Sequence, residues 1–427
     1  MPEAVYLVAV LCGIMAMAAA LYARQGFRIH SILQIFLIVW GYYVMAAPLD
    51  ALLGFSDLAL LGSPLYLDLN TAEAVKLRYP MLLHQTLLLC GCLVVYICCP
   101  LKGRRHKFGG IAKSRIKRPR TEFAVLINLI CLSIYLFNVR GLSRQDIQLL
   151  TDGAGARAFI FELPTFLLAL NSLLLLQTPS LSILAIGLFS AFLSDNRTYI
   201  VLLLLLYSLS ARPRLSWLKF TALGILLLLL LLFAKGLHSN FRVFLDGERV
   251  DDFQLNPFSG FSGMEAADAD GMHLYFIGQG PSPMWMGKSY VTRTFDRLTP
   301  TAIKAHRSPT LAQDYGEMFN PTLVQSGGGI GFSGILEAWL NFGWIGPLLA
   351  GTAIGVICRV ADHLPRPNVL TIIAICIVMR FFRSDAASMI KTWLIVFGLW
   401  LLVASVLIHA IRHIRPPRLF VLRSSRA

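Results

Sequence analysis

Glu337 and Asn341 stand four residues apart in the run Gly334-Ile-Leu-Glu337-Ala-Trp-Leu-Asn341-Phe, so on a helix they share one face. A carboxylate and an amide pointing the same way from an apolar helix are costly unless they meet a cavity or a partner. A carboxylate so placed can serve as a general base, and the pair forms a candidate acceptor face. Just upstream, Ser326-Gly-Gly-Gly329-Ile-Gly331 closes a long polar loop. A glycine turn running into a helix N-terminus exposes backbone N–H groups that suit a phosphate, which makes Gly329 and Gly331 candidate binding positions. The same stretch spells Gly329-Ile-Gly331-Phe-Ser-Gly334, a dinucleotide fingerprint. No strand precedes it and no βαβ unit surrounds it, so that reading is excluded.

Cations that could face an anion fall in three places. Arg197 sits in Asp195-Asn196-Arg197-Thr198, the short joint between two apolar segments. Arg380 and Arg383 belong to Arg380-Phe-Phe-Arg383-Ser-Asp385 at the outer end of another. Positive charge is disfavoured on that side, and a fixed anion such as a lipid phosphate would account for it. The polar loop adds Arg242, Arg249, Arg293, Arg297 and Arg307; the bland alternatives are snorkelling at the interface or pairing with nearby aspartates. Groups able to take a proton on the same side are His84, His238, His273 and His306, together with Asp195, Asp314, Glu317, Glu337 and Asp385. Arg197, Arg383, Glu337 and Asp385 are the catalytic candidates; Arg380, Arg293, Arg297, Asn341, His306, Gly329 and Gly331 are the substrate-binding ones. No HExxH, aspartate-rich or Walker motif occurs, so neither a metal nor any other cofactor is expected.

The elements that must hold these residues are membrane helices. Of 427 residues 56% are hydrophobic and 14% charged, and mean hydropathy is +0.66. Apolar segments of about 20 residues, the length that crosses a hydrocarbon core, recur throughout. They predict an all-α polytopic integral membrane protein, a single domain over 1–427. Spans fall near 4–23, 31–48, 80–101, 121–138, 158–176, 180–195, 199–211, 215–234, 335–357, 368–386 and 388–411, about eleven with a range of 10–13. No basic region precedes 4–23, so no cleavable signal is expected. With the N-terminus outside, the inner segments carry a net charge of +19 and the rest −4, which orients the chain and leaves the C-terminus inside. The basic loop 102–120 then reads as a cytoplasmic anchor rather than a nucleic-acid surface. On this topology a cysteine at Lys113 is shielded from an impermeant thiol reagent and one at Ser289 reacts. The eight cysteines fall in or beside spans, without metal spacing. The outer loop 235–334 is far longer than a connection needs, and a helix is expected over about 287–305.

Ser194-Asp-Asn-Arg197-Thr-Tyr at a span start, the long outer loop, Asn320-Pro followed by Gly327-Gly-Gly-Ile-Gly-Phe-Ser333, then Glu337, Asn341-Phe-Gly343 and Gly346 form a pattern. With the late arginines, it resembles the Wzy-type O-antigen polymerases. The resemblance implies a membrane glycosyltransferase in the bacterial inner membrane, working at its periplasmic face. Its substrates would be undecaprenyl-diphosphate-linked oligosaccharides, the growing glycan passing to the non-reducing end of an incoming unit. A chain-length regulator and a flippase are the implied protein partners, beside the lipid bilayer and no nucleic acid. Two alternatives stand beside it. An O-antigen ligase, transferring to lipid A-core, has the same architecture. A flippase would show paired repeats and interrupted helices at mid-membrane, whereas the polar residues here gather at span ends.

Overall fold

The computed structural model describes residues 31–52, 72–98, 121–140, 142, 156–193, 197–211, 265–299, 310–319, 321, 331–364 and 368–413. Among these the chain is all-helical, with no strand. Four helices are long and apolar enough to cross a membrane: Lys76–Cys98, Glu122–Val139, Ile345–His363 and Ala386–Ala410. Shorter apolar helices join them at Ile32–Val44, Leu163–Gln177, Leu181–Phe192, Thr198–Ala211 and Val369–Arg380. The expected spans 4–23 and 215–234, the basic loop 102–120 and much of the loop 235–334 lie outside the described residues.

Two expected spans are each built from two helices. The segment 158–176 is a short Ala156–Phe161 helix followed by Leu163–Gln177, which opens with Pro164. Proline has no N–H to continue a preceding helix but is preformed for a first turn. The segment 335–357 breaks at Gly343, whose φ of 56° is left-handed, into Gly334–Phe342 and Ile345–His363. The helix expected over 287–305 is Lys288–Leu298. Pro300 follows and biases Thr299 out of the helical region, which Thr299 confirms with φ −65° and ψ 125°.

Close approach, rather than polar attraction, joins the helices nearest the candidate site. Ile345–His363 lies along Ala72–Cys98 in the most extensive helix pairing among the described residues. A side chain at Gly351 would overlap the Leu88 carbonyl, and one at Gly355 would come 2.6 Å from that of Cys92. Gly351-Thr-Ala-Ile-Gly355 is thus a small-residue seam of the sort that lets membrane helices touch backbone to backbone. Dispersion replaces the hydrophobic effect in that setting, so lost contact here is not recovered elsewhere.

Elsewhere polar pins fix the register. Asp362 accepts from the N–H of Ile32 at 2.7 Å and the Tyr96 hydroxyl at 2.9 Å, capping the start of Ile32–Leu52. Asn128 and Asn171 exchange amide hydrogen bonds of 3.1 and 2.8 Å, and Ser190 donates to Asn128 at 3.1 Å. The loop contributes to the bundle too. Glu265–Gly278 packs against Ile32–Leu52 and Ala72–Cys98, burying Ala269, Met272 and Leu274.

Candidate functional site

Gly334–Phe342 is a helix of only nine residues, too short to hold its own ends, so other segments satisfy them. Ser333 caps the start, its hydroxyl accepting from Leu336 N–H at 3.1 Å. At the other end the Ser282 hydroxyl donates to the Trp339 carbonyl at 2.7 Å. The N–H groups of Trp285 and Met286 donate to the Leu340 and Asn341 carbonyls at 3.1 and 2.8 Å. To reach them Met284 and Met286 adopt left-handed backbone, φ 52° and 51°, at about 1–2 kcal/mol each. This clamp leads through Gly287 directly into Lys288–Leu298, and so delivers Ser289 to the face that carries Glu337 and Asn341.

The three side chains are buried together. Ser289 donates to Glu337 Oε1 at 2.7 Å and accepts from Asn341 Nδ2 at 2.7 Å; the same amide donates to the Glu337 carbonyl at 2.8 Å. Glu337 Oε2 accepts from the Ala386 N–H at 2.7 Å. Asn341 Oδ1 is buried with no partner among the described residues. Glu337 is 1% exposed, and burial pushes its carboxyl up to about 7. The Asp385 carboxylate adds to that rise, while the Ala386 N–H, the Ser289 hydroxyl and the Arg293 guanidinium oppose it. A carboxyl that titrates near neutrality can both take and release a proton under ordinary conditions.

Asp385 is fully buried beside them, with both oxygens engaged. Oδ1 accepts from Ser388 N–H at 3.0 Å, capping the last span, and Oδ2 from Leu311 N–H at 2.9 Å, capping Leu311–Phe319. One carboxylate thus caps two helices.

The arginines fall into separate groups. Gly331 packs on Arg383, and a side chain there would come 2.9 Å from Arg383 Cγ; the Arg383 carbonyl accepts from Phe332 N–H at 3.3 Å. Arg380 lies over the Trp393 ring at 5.3 Å, a cation–π arrangement. Tyr199, two residues beyond Arg197, meets the same indole edge-on at 6.1 Å. Arg197 is the first residue of Arg197–Ala211, and its side chain lies outside those described. Arg293 pairs with Asp314 at 2.6 Å, and Arg297 donates to Gln313 at 2.6 Å. These two guanidinium groups therefore tie the loop helix Lys288–Leu298 to Leu311–Phe319.

His84 and His273, far apart in the sequence, are a pair in the fold. Their rings stack at 5.1 Å with Nδ1 of one 2.9 Å from Nε2 of the other, and both are buried. Trp339 and Trp344, from either side of the Gly343 break, flank His84 at 5.6 and 4.6 Å. Burial and the neighbouring ring push His273 down, and the stacked pair packs behind the Glu337 helix. His306 and Gly329 lie outside the described residues.

Sequence reasoning missed Ser289, the Ala386 N–H and the Ser282–Gly287 clamp. The expected reaction of a cysteine at Ser289 with an impermeant reagent does not survive its burial at 5% exposure; it faces Glu337 rather than solvent. Val291, on the same helix and 56% exposed, replaces it. Labelling of a cysteine at Val291 in intact spheroplasts, with one at Lys113 protected, is the outcome the charge partition requires. The converse pattern would place the site on the opposite face.

No curated protein and no solved structure matches the chain. Residues 286–412 match the family model described as O-antigen polysaccharide polymerase Wzy, and that stretch holds Ser289, Glu337, Asn341, Arg383 and Asp385. With its apolar helices, the chain is an integral membrane protein, and the match supports a Wzy-type family, an O-antigen polymerase at family level.

Proposed function

We propose that this protein joins oligosaccharide repeat units at the periplasmic face of the inner membrane. The growing glycan leaves undecaprenyl diphosphate for a hydroxyl at the non-reducing end of an incoming lipid-linked unit. Glu337 takes the proton of that hydroxyl as its oxygen bonds to the anomeric carbon. The bond from that carbon to the diphosphate breaks with its electron pair on the leaving oxygen. Arg383 with Arg380 and Arg197 stabilise the departing charge, each worth up to a few kcal/mol when aimed at charge that develops in the transition state. Asn341 Oδ1, buried with no partner among the described residues, is available to accept from a sugar hydroxyl. Ser289 and Asp385 act as positioning residues, the first on Glu337 and Asn341, the second on the helix ends around them.

The observation that carries this reading is the buried Glu337 carboxyl, raised to about 7 and held by two donors within the matched stretch. A diphosphate donor is already activated, so the reaction asks for cations and a base and for no nucleotide. The test is a gel of lipopolysaccharide from a deletion strain. Loss of a polymerase leaves export and ligation working, so core bearing a single repeat unit is expected, without a ladder above it. Bare core with long polymer accumulating on its lipid carrier would make the protein a ligase instead, and bare core without such polymer a flippase.

A further inference from the structure

An apolar groove starts beside this site and runs down into the membrane part of the fold. Its mouth is formed by Tyr290 and Phe342 from either side of the Ser289–Asn341 contact, and by Ala386, whose N–H holds Glu337. One wall is a stripe along Ile345–His363, namely Gly346, Ala350, Ala353 and Ile357, at the three- and four-residue spacing of a single helix face. The opposite wall is Phe381 with Met389, Ile390 and Leu394. The last three come from the π-helical turn Met389–Val396. Its wider winding, rare in proteins and frequent at functional sites, sets residues one and five apart side by side. Small residues on one wall and a widened helix on the other leave a hollow of about 410 Å³.

From Gly346 to Ile357 the stripe is about 16 Å long at 1.5 Å per residue, roughly half of a hydrocarbon core. Among the described lining residues the Tyr290 hydroxyl is the one side-chain polar group. Among the described residues the groove's lining offers a sugar no other side-chain hydrogen bond, and its polar end is the site itself. An apolar chain whose head lies at Glu337 fits both the walls and this end.

We infer that this groove seats the first isoprene units of the polyprenyl chain, next to the diphosphate, and leaves the remainder in the bilayer. The inference rests on the polymerase reading for its head group. At roughly 30 Å³ per heavy atom, the share of one water in the liquid, the hollow takes on the order of fourteen carbons, about three five-carbon units. The enzyme then senses the beginning of the lipid and not its length.

The test measures KM for glycan donors carrying one, three or eleven isoprene units. Three and eleven are expected to behave alike, and one to have a KM about tenfold higher or more, since each buried methylene counts. Ala353→Phe fills the hollow. It is expected to raise KM about tenfold for the two longer donors and to leave the one-unit donor unchanged, which also reports that the variant is folded. Val356→Phe, on the same helix and outside the groove, is the control expected to match wild type. An A353F variant that slows all three donors equally, or none, overturns the inference; the first result would mean an ordinary phospholipid fills the groove for structural reasons. Photocrosslinking with a farnesyl diphosphate bearing a terminal diazirine separates the inference from the polymerase reading. Labelled peptides from 346–357 and 389–394, competed by unlabelled farnesyl diphosphate and not by phosphatidic acid, uphold the groove even if wild type elongates no glycan. Competition by both lipids, or labelling elsewhere, overturns it.

Discussion

Glu337→Gln is expected to lower the rate of glycan elongation by about 10²–10⁴-fold, the range for removing a general base, with little change in expression. Glutamine keeps the volume, and with its carbonyl oxygen on the Ala386 N–H its amide can donate to the Ser289 hydroxyl, so the local contacts survive while the proton acceptor is gone. Wild-type activity should rise with pH through about 7 as the carboxyl ionises, and the variant should lose that rise. The stability consequence has the opposite sign. A carboxyl whose folded value is raised holds its proton longer in the fold than in the unfolded chain. Between its ordinary value of 4.5 and about 7 stability therefore falls as pH rises, and Glu337→Gln should flatten that fall too. A variant that elongates at the wild-type rate, or one that keeps the pH profile, would remove Glu337 from the chemistry.

Arg383→Ala is expected to cost about 10²–10³-fold in kcat, the scale for removing one donor from a developing anion, and Arg197→Ala a similar amount. Lysine at either position should recover only part of the rate, because an ammonium is a point charge and a guanidinium is a planar fork that meets a phosphate through two bonds. Expression and thermal stability should stay near wild type in all four variants. Full activity in both alanine variants would reduce these arginines to interfacial anchors and leave the leaving group to the rest of the site.

Much of this architecture was written in the hydropathy of the chain. Segments such as 121–138 and 199–211 are helices within a residue or two of their apolar limits, since a membrane-length apolar run has few other solutions. Glu337 and Asn341 were legible for a related reason, as polar residues four apart in an apolar helix. Partners from distant sequence were not. Ser289 looks like any serine in a polar loop, and only the Met284–Gly287 turn, with its left-handed methionines, aims it at Glu337. Asp385 read as a candidate base by type alone; its two backbone donors come from residues 311 and 388, and no local spacing links the first of them. The break at Gly343 was hidden because a glycine among apolar residues is ordinary in membrane helices, and the left-handed turn there depends on the Met284 segment packed against it. Arg293 and Arg297 were read for their charge, which the neighbouring helix Leu311–Phe319 engages through Asp314 and Gln313.

Capping of two helices by Asp385 also sets the order in which the protein can be completed. Chains emerge from the N-terminus and fold as they are made, so Leu311–Phe319 and Glu337 are synthesised well before the residues that finish them. Leu311 has to wait for the Asp385 carboxylate and Glu337 for the Ala386 N–H, both at the threshold of the membrane helix Ala386–Ala410. Until that helix is inserted, the candidate base lacks one of its two donors and the Leu311 N–H lacks its acceptor. A chain that stops short of Asp385 therefore lacks contacts that hold Glu337 and Leu311–Phe319 in place, however complete its earlier helices are.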